Sequence, residues 1–125
     1  MVPDQLLEEV RRFRDQGHEV EAIEADGFAN LVFHSYRLPG SLSKATTDLV
    51  VKIPLSYPNG RPDMFWTDTD VLLRDGRVPR SADSIETFLG RQWRRFSWHP
   101  QAWNPGVDNV STFLEFVNDR LRRTE

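Results

Sequence analysis

The chain has 125 residues, 28% of them charged, a formal net charge of -3 and no cysteine. One core can be buried at this size without covalent staples, and the slightly acidic balance carries no nucleic-acid footprint. Disulfides, thiolate chemistry and sulfur-ligated zinc are excluded, no apolar run reaches the roughly 18–20 residues of a membrane span, and Met1-Val2-Pro3-Asp4 does not open like a signal peptide.

These bounds lead to the expectation of a single domain over residues 1–125, cytoplasmic, with no metal or cofactor. Pro3-Asp4 precedes Leu6, Leu7, Val10 and Phe13, a stripe at helical spacing that predicts an amphipathic helix ending at Gly17. Val20 and Ala22 then alternate with Glu19 and Glu21, and Asp26-Gly27 leads into the strand formers of Phe28 to Leu38, so the two runs read as a hairpin. After the turn cluster Leu38-Pro39-Gly40-Ser41, Asp48 to Pro54 predicts a third strand closed by its proline, and Met64-Phe65-Trp66 a short fourth. Residues 67–80 read as loop with a brief extended piece at Val71-Leu72-Leu73. Ser84 to Phe88 opens a short helix by the spacing of Ile85, Phe88 and Leu89, broken at Gly90. Val110, Phe113, Leu114, Val117 and Leu121 mark a C-terminal helix behind Asp108 or Asn109 as its cap. The expected class is therefore α+β, a four-stranded antiparallel meander with the N- and C-terminal helices packed on one face.

A set of short motifs narrows this further. Tyr57-Pro58 at the end of the third strand, Pro62 ahead of the fourth, Gly76-Arg77-Val78, and Trp103-Asn104-Pro105 before the last helix occur in the order of the ubiquitin-conjugating (E2, UBC) superfamily, which the chain resembles over nearly its whole length. Pro62-Asp63-Met64-Phe65-Trp66-Thr67-Asp68 and the Trp-rich stretch ending Trp103 to Asp108 are similar to prokaryotic E2 family E. The resemblance implies a UBC-like fold and a bacterial ubiquitin-like conjugation pathway, with an E1-like activating enzyme and a ubiquitin-like protein as partners and a JAB-type peptidase as a pathway neighbour. It also marks a departure. Pro79 stands where the catalytic cysteine of those enzymes would be, the His-Pro-Asn tripeptide ahead of that cysteine has no counterpart, and residues 80–102 separate Pro79 from the tryptophan motif.

A proline cannot be acylated, so any transfer chemistry needs a hydroxyl or another protein. Ser97 and His99 flank Trp98, and on an extended segment they point the same way, the pairing of an activated nucleophile with its base; Asp108 is a candidate to orient His99. Ser81 and Ser84 lie nearest Pro79 without a base. Thr67-Asp68-Thr69-Asp70 lacks the glycine and the late glutamate of a calcium loop and reads as a turn, and His18 and His34 as ordinary residues on or beside strands. Trp93, Phe96, Trp98 and Trp103 are interleaved with Arg91, Arg94 and Arg95, a composition that serves either as cover for the sheet or as a protein-binding surface, with Trp98, Arg94 and Arg95 the contact candidates. Three functions remain open: a scaffold that binds the modifier, the E1 or the substrate; a transferase using Ser97 and His99; and an adaptor unconnected with modifiers.

Overall fold

The computed structural model describes residues 1–124. Helix α1 (Asp4–Asp15) starts at Pro3 and buries Leu6, Val10 and Phe13. Strands β1 (Glu19–Ala25) and β2 (Phe28–Arg37) pair antiparallel through Asp26 and Gly27, whose φ values of 54° and 84° match the two-residue turn that suits strand twist. Strands β3 (Thr46–Pro54), β4 (Phe65–Thr67), β5 (Ser84–Phe88) and β6 (Arg91–Phe96) follow, then helix α2 (Val110–Leu121). All six strands form one sheet in the order β1-β2-β3-β4-β6-β5.

The α+β class with terminal helices stands, but the sheet has six strands where the sequence led us to expect four. Ser84 to Phe88 is a strand, not a short helix. Its apolar residues three apart imitate helical spacing, yet Leu89 and Gly90 adopt φ of 50° and 76° and fold the chain into a second tight hairpin. The returning strand β6 then pairs with β4, and this long-range partner overrides the local pattern. At Val71-Leu72-Leu73 the expected extended piece is reduced to a single bridge between Leu42 and Leu73.

Alternation divides the sheet into two unequal faces. Leu31 and Phe33 of β2, Leu49, Val51 and Ile53 of β3, Phe65 of β4 and Phe96 of β6 join one cluster with the buried residues of both helices. A register shift between Phe33 and Tyr36, with Ser35 at φ 54°, returns Tyr36 to this side despite its odd spacing, and its hydroxyl donates to Asn118 Oδ1 of α2 at 2.5 Å. The opposite face holds a smaller cluster of Val32, Val50, Trp66 and Trp93.

The second half of the chain is tied to the first through polar clamps. Tyr57 donates to Glu9 of α1 at 2.6 Å, and the Val110 amide at the start of α2 donates to both Glu9 (3.0 Å) and the Tyr57 oxygen (3.1 Å). Trp103 donates to the Pro58 carbonyl at 2.7 Å. Of the two candidate caps, Asn109 closes α2 with a reciprocal pair of bonds to Thr112, while Asp108 accepts the Asn104 amide at 2.7 Å.

Candidate functional site

The segment around Pro79 is fastened at both sides. Gly76, at φ 89°, closes a turn by donating to Leu73, and Leu73 donates to Arg77. Val78 is exposed, but Pro79 itself is buried, and its carbonyl accepts the Ala82 amide at 3.1 Å. Beyond it, Arg80 donates its amide to Thr124 just past α2 (2.8 Å), and the Ser81 carbonyl accepts from Ser97 (2.8 Å). The Pro79 segment thus lies between the C-terminal end of α2 and the end of β6.

Ser97 and His99 follow directly after β6, outside the strand, and each is engaged elsewhere. Ser97 Oγ accepts from Arg95 Nε at 3.0 Å. His99 Nδ1 meets Asp63 Oδ1 at 2.7 Å, so Asp63 and not Asp108 is its carboxylate partner. Among the described residues no hydrogen bond joins Ser97 to His99. Both members of the His99–Asp63 pair face solvent. Ser84 Oγ is within 3.4 Å of Arg95, and Ser81 is exposed without a base.

The three contact candidates have different environments. Arg94 is buried and its fork donates to the Thr69 carbonyl (3.1 and 2.9 Å) and the Ala82 carbonyl (2.7 Å); burial holds its pKa below the usual guanidinium value despite Asp83. It joins the loop after β4 to the Pro79 segment. Arg95 pairs with Glu86 at 2.7 Å, and the other oxygen of Glu86 accepts from Trp66 at 2.8 Å. Trp98 is half-buried against the main core, with Arg120 4.6 Å and Arg80 5.9 Å from its ring. Its indole Nε1 is buried and has no partner among the described residues. Arg80, Arg120 and Asp63 escaped the sequence reading because the partners lie far apart in the chain, at separations no motif spacing records.

On the open face, Asp68 accepts from Lys44 (2.9 Å), Arg91 (2.7 Å) and the Asp48 amide (3.3 Å), while Asp70 also takes Lys44 at 2.9 Å. Burial pushes the Asp68 carboxyl up, but the bonds from Lys44 and Arg91 outweigh it and hold its pKa below the ordinary value. These acids of the 67–70 segment are occupied by cations of the chain itself. Among the described residues no three His, Asp or Glu side chains gather as a metal site would require.

A sheet backed on one face by both terminal helices, with the Tyr-Pro turn locked to the last of them, is the arrangement of an E2-like protein. The family model for prokaryotic E2 family E matches residues 6–124, and the chain belongs to that family. Membership places it in the context of ubiquitin-like conjugation in prokaryotes. Neither the curated proteins nor the solved structures contain a match.

Proposed function

We propose that the chain acts as a single UBC-like domain over residues 1–125, a cytoplasmic, noncanonical E2-like scaffold that binds the E1-like enzyme, the ubiquitin-like protein or the substrate without carrying a thioester. The carrying observation is the state of Pro79: the position of the missing nucleophile is buried and its carbonyl is spent on the Ala82 amide, in a chain with no cysteine elsewhere. Trp98 is the partner-facing residue of this reading, with the Arg94 and Arg95 bonds holding β6 beneath it. A JAB-type peptidase belongs to the same pathway as a neighbour.

A second reading is favoured by the His99–Asp63 pair, which resembles the oriented base of an acyl-transfer site. In it Ser97 Oγ would attack the E1 thioester, lose its proton to His99 Nε2 and expel the thiolate, leaving the modifier as an ester. Incubation with the cognate E1-like enzyme, the ubiquitin-like protein and ATP, followed by intact mass spectrometry with and without hydroxylamine, separates the readings. The scaffold forms a stable complex and no adduct, and Trp98→Ala weakens that complex while Ser97→Ala and His99→Ala do not. A hydroxylamine-labile adduct lost in Ser97→Ala would establish the ester enzyme instead.

A further inference from the structure

Helix α2 and residues 100–103 enclose a cleft of about 300 Å3 whose apolar walls are Trp103, Phe113 and Phe116. Asp108 and Arg120 also line it. Asp108 precedes the first turn of α2 and Arg120 lies in its last, so the two stand near opposite ends of a helix roughly 18 Å long at about 1.5 Å per residue. Asp108 is engaged with the Asn104 amide at 2.7 Å. Arg120 is not engaged in this way. Among the described residues its buried Nε has no hydrogen-bond partner, and the adjacent carboxylate, Asp119, goes to Arg123 at 3.2 Å. No ion pair among the described residues involves Arg120.

Its guanidinium is instead held by rings, 4.6 Å from Trp98 and 5.4 Å from Phe116. Stacking fixes the plane of an arginine while leaving its charge and its edge donors unspent. A planar fork lining an aromatic cleft complements a carboxylate joined to an apolar body. The carbonyl end of α2 repels an anion, so the attraction must come from Arg120 itself, assisted by Arg80, 5.9 Å from the Trp98 ring.

We propose that this cleft binds a peptide carboxylate, with the carboxylate on Arg120 and the neighbouring apolar side chain against Phe116, Phe113 and Trp103. The carboxylate is that of a free chain terminus, because Arg120 lies 5.4 Å from the Phe116 ring and a terminal residue carries its carboxylate and its apolar side chain on one Cα. The inference goes beyond the conjugation reading and does not depend on it, since the binding requires neither an E1-like enzyme nor a modifier.

The test is a titration of the full chain, 15N-labelled at its tryptophan indoles, with three synthetic probes: N-acetyl-Ala-Ala-Ala-Phe as the free acid, the same peptide as its amide, and N-acetyl-Ala-Ala-Glu-Phe amide. The Trp98 indole is the reporter, because Trp66, Trp93 and Trp103 donate their indole N–H to Glu86, Phe88 and Pro58. The free acid is expected to shift the Trp98 resonance saturably, and the neutral amide and the Glu peptide to bind about tenfold or more weakly. Binding of the Glu peptide as tight as that of the free acid would assign the carboxylate to a side chain and overturn the proposal. Arg120→Gln is expected to abolish the preference for the free acid, with the three other indole resonances reporting an intact fold. Should that variant unfold, Arg120→Lys keeps the charge without the fork and is expected to reduce the preference. Equal binding of acid and amide by the unmodified protein, no binding of any probe, or an undiminished preference in a folded Arg120 variant would overturn the proposal.

Discussion

On the helix-covered side of the sheet, Leu31, Leu49, Val51, Ile53, Phe65 and Phe96 are fully buried by α1, α2 and one another, whereas on the open side Trp66 and Trp93 are kept dry by long side chains. Lys52 lies 3.8 Å from the Phe88 ring and 4.9 Å from Trp66, and Arg91 lies 4.0 Å from Trp93. Arg91 also reaches Asp48 at 2.9 Å and Asp68 at 2.7 Å, and His34 continues the chain of charges from Asp48 to Glu21. One face is closed by layer packing and the other by the stems of charged residues whose heads stay wet. The two solutions should differ sharply in their tolerance of substitution.

The largest effect is expected at Phe96, stacked 4.9 Å from Phe65 in the main core. Phe96→Ala should cost about 3–5 kcal/mol in chemical denaturation, from lost burial and the cavity left behind. A loss as small as that of an open-face substitution would contradict the division drawn between the faces. Next comes Arg94→Met, which keeps the stem but orphans the Thr69 and Ala82 carbonyls that receive its guanidinium. A cost of about 2 kcal/mol is expected, together with faster amide exchange in the Pro79 segment.

Lys52→Met retains the apolar roof over Trp66 and Phe88 and removes only the cation, so the expected loss is about 0.5–1 kcal/mol. A loss several times larger would mean that the roof behaves as core. The smallest effect concerns His34. Its bonds to Glu21 and Asp48 raise its pKa above 6.5 against the opposing influence of burial. A raised folded pKa means that the contribution of His34 is fully present below about pH 6.5, the unfolded value, and is lost as pH rises through the folded value. The stability difference between the native protein and His34→Gln should therefore shrink from acid to alkaline pH, and a difference that grew would reverse the assignment.

Much of this architecture was legible in local pattern. The helical stripe of Leu6, Val10 and Phe13, the Asp26-Gly27 turn and the cap before Val110 each express their conformation within a few residues. The β5–β6 hairpin was not legible, for two reasons. Ile85 and Phe88 carry helical spacing by coincidence, and Arg94 occupies an inward position where a pattern reading expects an apolar residue. A buried arginine satisfied by three carbonyl contacts disguises a strand. The candidate site was legible only in outline: Ser97, Trp98 and His99 follow one another after β6, but their partners Arg95, Arg120 and Asp63 assign each a separate environment.

The sequence by itself determined the α+β class, the family resemblance and the absence of cysteine, because composition and motif order are properties of the chain alone. Only the tertiary structure decided that Pro79 is buried, that β6 inserts between β4 and β5, and that Arg120 lies 4.6 Å from the Trp98 ring and lines a cleft. Those facts arise from contacts between residues tens of positions apart. Their energies depend on which groups share the low-dielectric interior and which remain in water, a choice made when the sheet and α2 close on each other.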